Sequence, residues 1–354
     1  MITTDFSYCN DYLNIIVWVL LFIGLSTSIF YYLKAGKVCS LSPVWVCSCF
    51  WLPVLLMGYF PVLRGSADRE LYYWGYIQIQ QGGIDARGLT DWGYYYFQKL
   101  ISFLPVRYYL IYSAFIYTLC MYMFCCSISK KYVGILFLGF VLSFTFVSYG
   151  INTMRSGIAS SFILLALIFR DKKYIWSFFL FIATTIHFSM VIVVIAYLLS
   201  RYWNKTRLYL SVWLVSIPVS MIFGSAFEYL LTKISPDERV NYLMVSAIDT
   251  HYKVGFRVDF LLYSCLPVLL GYYYIYKKDF QDKFYKNLYN MYLLANTFWI
   301  LVIRANYSDR FAYLSWFIYS VILLYPLVTR PVVRKQGIWI ATILLGMTLF
   351  RTFI

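Results

Sequence analysis

The chain has 354 residues, of which 62% are hydrophobic and only 13% are charged, and its formal net charge is +15. A soluble domain with a polar surface cannot have this composition, so the sequence predicts an all-α membrane protein that crosses the bilayer many times. The positive charge does not indicate nucleic-acid binding, because no basic cluster is interleaved with stacking aromatic residues outside the membrane interfaces.

Apolar segments long enough to span a bilayer, at about 20 residues each, recur along the chain. We predict about ten full spans within a single transmembrane domain, 1–354. They lie near residues 15–33, 43–63, 106–127, 132–150, 155–169, 208–227, 259–276, 287–303, 311–329 and 337–353. Basic residues flank both ends of segment 174–199, which therefore predicts a re-entrant hairpin of two short helices with His187 of "TTIHFS" at its tip.

Two longer outer loops, 64–105 and 228–258, separate these segments. In the first, "DWGYYYFQKLISFL" has the spacing of an amphipathic helix, and "RELYYWGYIQIQ" predicts another. Trp92, Tyr95 and Tyr96 fall on one face of the first helix. Two interpretations stay open for these rings: they anchor the helix in the interface, as most of the 22% aromatic residues are expected to do, or they line a groove for sugar rings.

The charge distribution predicts the orientation of the chain, because short cytoplasmic loops carry an excess of Lys and Arg. The six proposed inner loops hold 17 of the 30 basic residues and 3 of the 15 acidic residues, which places both termini outside. The polar residues that this rule does not explain share the outer side, and charge near membrane depth is a functional candidate. They are Asp68, Arg69, Arg155, His187, Arg257, Asp259, Arg304, Asp309 and Arg310.

The spacing of these charges predicts some of their partners. No acidic residue lies within a dozen positions of Arg155, so we expect its counter-charge to come from a substrate, unless it is an interfacial side chain that reaches for water. Arg257 and Asp259 are two positions apart and would not face each other on a helix. Asp309 and Arg310 are either site residues or a local ion pair in a turn.

Four segments together carry a family resemblance. They are "GINTMRSGIASSFILLALIF", "TTIHFSMVIVV", "GFRVDFLLYSCLPVLLGYYYIYKK" and "NTFWILVIRANYSDRFAYLSWF", in that order. Their content and spacing resemble the EpsG family, the Wzy-like polymerases of bacterial O-antigen, capsule and exopolysaccharide clusters, over roughly residues 60–330. Many members have Gln directly after the first arginine, whereas Ser156 stands here, so the role of that neighbour does not carry over.

This resemblance implies a glycosyltransferase that joins polyprenyl-pyrophosphate-linked oligosaccharide repeat units at the periplasmic face of the bacterial inner membrane. It also implies an architecture similar to the GT-C glycosyltransferases, with an acidic catalytic residue in the first large outer loop. The expected partners are the lipid-linked donor and acceptor, membrane lipid, a chain-length regulator and a flippase, with no nucleic acid. We expect no cofactor and no metal.

The residue types suit this reaction, whose leaving group is a diphosphate. Guanidinium groups stabilise developing phosphate charge, and Arg155, Arg257, Arg304 and Arg310 are the predicted pyrophosphate ligands. A carboxylate or imidazole must deprotonate the acceptor hydroxyl, and Asp68 is the first candidate and His187 the second. The remaining candidates are Arg69, Asp259 and Asp309 at the site, with Trp92, Tyr95 and Tyr96 stacking on sugars.

Two other functions compete with polymerisation. A flippase or transporter for the same glycan should contain internal repeats and charges near the bilayer midplane, and the sequence has neither. A membrane acyltransferase that modifies surface sugars would need a cytoplasmic entry for its acyl donor. The two histidines and the outer-facing candidates disfavour that alternative.

Overall fold

The structure is a computed structural model that describes residues 2–34, 36–64, 68–86, 89–234 and 255–353. It divides into two compact units. The first unit comprises Met1–Met190 with Leu327–Ile354, and the second comprises Val191–Pro326. Of the predicted second outer loop, residues 235–254 lie outside the described residues.

The first unit is built from helices with one short pair of strands. Strands β1 (Ile2–Thr3) and β2 (Val62–Leu63) are parallel, with Ile2 opposite Val62. Its helices are α1 (Phe6–Leu33), α2 (Pro43–Tyr59), α3 (Asp68–Gln80), α4 (Trp92–Leu100), α5 (Val106–Ile128), α6 (Val133–Leu142), α7 (Phe144–Ile151), α8 (Met154–Ile168) and α9 (Lys173–Ile186). Helices α8 and α9 pack on each other, and α4 packs on α9. This packing gathers the elements of the candidate site.

Local sequence signals fix several helix starts. Asp5 caps α1 by accepting hydrogen bonds from the backbone N–H groups of Ser7 and Tyr8 at 2.8 and 3.2 Å. Ser42 caps α2 in the same way, with Pro43 at the first helical position. Both arrangements satisfy backbone donors that have no partner within the helix.

The remaining helices are α10 (Met190–Tyr202), α11 (Thr206–Ile234), α12 (Val258–Tyr272), α13 (Lys283–Leu301), α14 (Asp309–Trp316), α15 (Tyr319–Thr329) and α16 (Gln336–Phe353). A π-helical turn, Tyr273–Lys277, continues α12. Helix α10 begins at the last residue of the first unit, α15 ends in that unit, and α16 belongs to it. Within the second unit, α11 and α14 both pack against α13.

The lengths and compositions of the helices support a multi-pass, all-α membrane protein. Within the described ranges, five helical stretches are long and apolar enough to cross a bilayer, or six if one bent pair counts as a span. They are Phe6–Leu33, Val106–Ile128, Thr206–Phe227, Val258–Lys277 and Asp309–Thr329. The predicted total of about ten spans is not confirmed by this measure. Helix α8, for example, has 15 residues and is about 22 Å long, which is shorter than the bilayer core.

Two predicted segments are interrupted. The span predicted near 132–150 consists of two helices, α6 and α7, that meet at an angle of 70°, so it is either a broken span or a re-entrant loop. Ser143 lies between them in an extended conformation. Segment 174–199 does contain two short helices, α9 and α10, with the break at residues 187–189 where "TTIHFS" predicted it. That these helices form a re-entrant hairpin stays a prediction.

Many tyrosines serve the interior of the protein. In the second unit the hydroxyls of Tyr285, Tyr289 and Tyr292, all on α13 and all fully buried, donate to main-chain carbonyls of α12 and α15 at 2.8–3.0 Å. A buried hydroxyl needs such a partner, and each bond connects two helices. These three tyrosines therefore connect helices of the second unit instead of anchoring it at an interface.

Candidate active site

The first unit places Asp91 at the centre of a charged cluster. Asp91 is the N-cap residue of α4, yet its carboxylate makes no capping hydrogen bond. Instead, Oδ2 lies 2.7 Å from Nη1 of Arg155, and Oδ1 accepts a hydrogen bond from the backbone N–H of Phe188 at 3.1 Å. The side chain of Asp91 is only 6% exposed. A carboxylate at this position can be buried because a cation and a backbone donor compensate for its lost hydration.

Gly93 sets the position of Asp91 against the end of α9. A Cβ atom on Gly93 would lie 2.3 Å from Oγ1 of Thr185 and 2.9 Å from the backbone nitrogen of Ile186. The first turn of α4 therefore touches the main chain of α9 directly. This close approach brings the carboxylate of Asp91 within hydrogen-bonding distance of Phe188, in the break that follows α9.

Arg155 lies in the first turn of α8, with its side chain 24% exposed. Its Nε donates to the hydroxyl of Tyr72 at 3.3 Å, and the guanidinium carbon lies 5.4 Å from the centroid of the Tyr72 ring. A cation at a helix N-terminus is opposed by the helix dipole, and the carboxylate of Asp91 offsets that cost. Among the described residues, Nη2 of Arg155 has no hydrogen-bond partner, so this nitrogen can bind a further anion.

Buried side chains of α4 and α5 hold Tyr72 in place through a ring contact and a network of hydrogen bonds. The ring of Tyr94 contacts the ring of Tyr72 edge to face, and the hydroxyls of Tyr94 and Tyr109 are 2.7 Å apart. Gln98 donates to the Tyr109 hydroxyl at 3.0 Å and to the carbonyl of Tyr72 at 3.4 Å. Burial raises the pKa of Tyr94 well above its usual value, so this hydroxyl stays protonated. The network holds α3, α4 and α5 together beneath the Arg155 contact.

His187 completes the cluster from the end of α9. Its Nδ1 lies 3.9 Å from Oδ2 of Asp91, and its side chain is 21% exposed. The backbone of His187 is extended, which ends α9 and turns the following N–H of Phe188 toward Asp91. The structure thus brings two sequence-predicted residues, Arg155 and His187, to the same carboxylate.

Sequence reasoning missed that carboxylate. The expectation that Arg155 lacks a protein counter-charge is wrong, because Asp91 pairs with it across 64 positions of sequence. Asp68, the acid that the sequence favoured as base, is the first residue of α3 and is partly buried. The available signal for Asp91 was its position at the head of "DWGYYYFQKL", where an acidic residue is easily interpreted as only a helix cap.

The contacts of Arg69 indicate that it holds helices together. It is 2% exposed, and its guanidinium donates to the carbonyls of Met57, Phe60 and Ile151 at 2.9, 3.2 and 3.4 Å. Burial lowers the pKa of Arg69 to about 10. These bonds tie α3 to the ends of α2 and α7, and a side chain this deeply buried is a poor ligand for a large lipid-linked substrate. The structure therefore favours a structural role for Arg69 over the site role predicted from the sequence.

The two helices predicted in the first outer loop are present as α3 and α4. Trp92 and Tyr96 are 40% and 53% exposed, and their rings contact each other at 6.1 Å between centroids. The prediction that Tyr95 shares their face is wrong, because Tyr95 is 7% exposed and its hydroxyl donates to the carbonyl of Ile84 at 3.3 Å. An accessible stacking surface therefore comprises Trp92 and Tyr96.

In the second unit, Arg257 and Asp259 form an ion pair. The Nε and Nη2 atoms of Arg257 lie 2.9 and 2.6 Å from Oδ1 and Oδ2 of Asp259, in the forked geometry of a strong pair. The expectation that they would not meet is wrong because Arg257 is the N-cap of α12 and its backbone is not helical. The guanidinium carbon also lies 3.6 Å from the centroid of the Phe260 ring.

The other predicted residues of the second unit lie around the start of α14. Arg304 donates from Nη2 to the carbonyl of Met221 at 3.2 Å, and the guanidinium of Arg310 lies over the ring of Tyr307 at 5.2 Å. Asp309 is 8% exposed, and its Oδ1 finds no hydrogen-bond donor in the described part of the chain. A buried carboxylate oxygen without a partner is costly, which keeps Asp309 among the candidates.

Taken together, the helices and the Asp91 cluster define a class: a polytopic α-helical membrane protein in which a buried carboxylate joins an arginine and a histidine at helix ends. Nowhere in the described ranges do three His, Cys, Asp or Glu side chains gather as a metal site would require. The EpsG family model matches residues 44–354, so the chain belongs to the EpsG family, whose members are Wzy-like polymerases. No curated protein and no solved structure matches the chain. The GT-C-like architecture stays a prediction.

Proposed function

We propose that this protein joins polyprenyl-pyrophosphate-linked oligosaccharide repeat units at the periplasmic face of a bacterial inner membrane. Family membership supports a role as a polysaccharide polymerase in surface-glycan biosynthesis. The observation that carries the more specific proposal is the contact of one buried carboxylate, Asp91, with both Arg155 and His187. The transfer of a glycan from its diphosphate requires an anion-binding group and a proton acceptor, and these two residues can supply them.

The proposed step is an attack on the anomeric carbon of the donor. The hydroxyl oxygen of the acceptor sugar forms a bond to that carbon, while the bond from the carbon to the diphosphate oxygen breaks. The diphosphate leaves with the electron pair, and the acceptor's proton moves to the protein. Negative charge therefore grows on the leaving oxygen as the transition state forms, and a fixed cation beside it lowers the barrier.

In this proposal Arg155 binds the diphosphate and His187 takes the proton. The Nη2 group of Arg155 supplies hydrogen bonds to phosphate oxygens, while Asp91 and Tyr72 fix the plane of the guanidinium. Both carboxylate oxygens of Asp91 already have partners, which favours a positioning role for Asp91. His187 is more exposed, so its Nε2 is the better proton acceptor, and Asp91 stabilises the imidazolium that results.

The remaining site residues have supporting roles in the proposal. Trp92 and Tyr96 offer exposed rings on α4, the helix that Asp91 begins, and sugar rings stack on such faces. Arg304 and Arg310 stay predicted ligands of pyrophosphate, whereas the fork from Arg257 to Asp259 favours a structural role for Arg257. A chain-length regulator and a flippase stay predicted partners.

The test is the length distribution of surface polysaccharide in a strain that lacks this chain. We expect the ladder on a gel to collapse to single repeat units and to be restored by the wild-type chain but not by His187→Ala at the same membrane level. Loss of even the single unit would instead indicate a flippase or an earlier step. An unchanged ladder would contradict polymerisation and favour modification of the glycan.

A further inference from the structure

A basic cavity lies at one end of the second unit, and neither the candidate active site nor the proposed reaction uses it. Its volume is about 480 Å³, and it lies between the start of α11 and the turn that joins α12 to α13. Three of its lining residues are cationic: Lys205, Arg207 and Lys286. None of its lining residues is acidic, so the cavity concentrates positive potential.

The structure holds these cations in place. The guanidinium of Arg207 lies 5.7 Å from the centroid of the Tyr276 ring, and the ammonium of Lys286 donates to the side-chain carbonyl of Gln281. Tyr276 and Gln281 both line the cavity. Gln281 is itself fixed by hydrogen bonds from Nε2 to the carboxylate of Asp279 at 2.6 Å and to the carbonyl of Ile275 at 3.3 Å, so one acidic side chain adjoins the cavity without lining it. At least two of the three charges are therefore oriented by neighbouring side chains.

Local backbone geometry adds to the positive potential. Thr206, Arg207 and Leu208 form the first turn of α11, whose N–H groups have no acceptor within the helix. A basic residue is unfavourable at this end of a helix dipole, yet Lys205 and Arg207 both lie there. Across the cavity, Ile275 and Tyr276 belong to a π-helical turn, a rare geometry that is frequent at functional sites. These features together favour an anion.

The cavity also has the surroundings of a lipid head-group site. Thr206–Phe227 and Val258–Lys277 are two of the membrane-span candidates, and the cavity lies where the first begins and the second ends. Leu208 and Ile275 give it apolar walls. Trp203, which directly precedes the lining residues in sequence, is 62% exposed, as expected for an aromatic residue at a membrane interface.

We propose that this cavity binds the phosphate of an anionic phospholipid head group on the predicted inner side of the membrane. Basic pockets between membrane helices on that side bind such head groups in other proteins. The phosphate would contact Lys205, Arg207 and Lys286, and the acyl chains would extend along the apolar wall at Leu208. This site shares no residue with the Asp91 cluster, and its test needs no polymerase activity.

The experiment is native mass spectrometry of the full-length protein, purified in detergent and titrated with phosphatidylglycerol or phosphatidylcholine. We expect a preference for phosphatidylglycerol that Lys205→Ala/Lys286→Ala weakens about 30-fold, at roughly 1 kcal/mol for each charge lost. The control Lys130→Ala/Lys131→Ala removes two lysines from another predicted inner loop and should leave binding unchanged. Lys205→Arg/Lys286→Arg should also retain it.

Three results would overturn the proposal. Equal weakening in both alanine pairs would mean general attraction to surface charge and no built site. Competition by inorganic phosphate at the same concentration as the lipid would mean that the cavity takes free phosphate, and the assignment to a phospholipid would be lost. Normal binding by Lys205→Ala/Lys286→Ala would likewise remove the site.

Discussion

The carboxylate of Asp91 lies 2.7 Å from the guanidinium of Arg155, although 64 positions separate the two residues in the sequence. The same carboxylate accepts a hydrogen bond from the N–H of Phe188 and lies 3.9 Å from the imidazole of His187. One acidic side chain thereby sets the distance between a cation on α8 and an imidazole at the end of α9. Losing its charge would disturb both at once.

We expect Asp91→Asn to reduce repeat-unit polymerisation on the order of 100-fold, because a misplacement of about 1 Å in a catalytic group has that effect. Asparagine keeps the shape of the side chain but removes the charge that holds Arg155. The length of the polysaccharide ladder, normalised to membrane protein level, measures the effect. Asp85→Asn, an exposed carboxylate of the same loop, is the matched control.

The variant Asp68→Asn tests which of two acidic residues, Asp68 or Asp91, organises the site. If Asp91 is the residue that organises the site, Asp68→Asn should leave a longer ladder than Asp91→Asn in the same strain. A normal ladder from Asp91→Asn together with a collapsed ladder from Asp68→Asn would restore the choice made from the sequence.

Arg155→Ala and Arg155→Lys should both shorten the polysaccharide at normal protein levels. Lysine keeps the charge but cannot bond to Asp91, Tyr72 and a phosphate oxygen at once from a planar group. The measurement is again the ladder, with Arg170→Lys, on a predicted inner loop, as the control. A full-length ladder from both Arg155 variants would show that this guanidinium does not bind the leaving group.

The sequence predicted some parts of this arrangement well, because they depend on local signals. Hydropathy indicated a multi-pass helical protein, the periodicity of the first outer loop indicated α3 and α4, and "TTIHFS" indicated the break at His187. Arg155 was recognisable as a charge at the head of an apolar helix. Each of these inferences uses residues within one segment of about 20 positions.

The pairing of Asp91 with Arg155 could not be predicted in this way, since it depends on how α4 packs against α9. The enabling residue is Gly93, whose missing side chain allows that contact, and a glycine in an aromatic run gives no indication of its neighbour. The Arg257–Asp259 pair was excluded for a related reason. Helical spacing does not apply to Arg257, because in the structure this residue is a non-helical cap.

Gly93→Ala tests whether close packing of α4 on α9 supports the site. The new methyl group would lie 2.3 Å from Oγ1 of Thr185, so α4 must shift and the bond from Phe188 to Asp91 should break. We expect a shortened ladder at near-normal protein level. Gly75→Ala is the matched control, because nothing lies within 4 Å of its added Cβ on the neighbouring helix α3. Equal ladders from the two variants would contradict this account.

Asn296 is the centre of a buried polar network in the second unit. Its side chain accepts from Nε1 of Trp213 at 2.7 Å and donates to the hydroxyls of Ser264 and Ser315 at 3.1 and 3.0 Å. Asn296→Ala leaves the indole donor of Trp213 buried without this acceptor. We expect a loss of about 1–3 kcal/mol in the free energy of unfolding. Thermal unfolding of purified protein in detergent measures it, and the exposed Asn10→Ala should not change the midpoint.

A double-mutant cycle at Arg257 and Asp259 decides between two roles for that arginine. The fork to Asp259 already occupies Nε and Nη2, so we expect Arg257→Ala and Asp259→Ala to affect polysaccharide length equally, and the double variant to be no worse than either. Their coupling in stability should be about 0.5–1 kcal/mol, because the carboxylate is one-third exposed and screened by solvent. A collapsed ladder from Arg257→Ala beside a normal ladder from Asp259→Ala would instead show that this guanidinium acts on the pyrophosphate itself, as the sequence alone suggested.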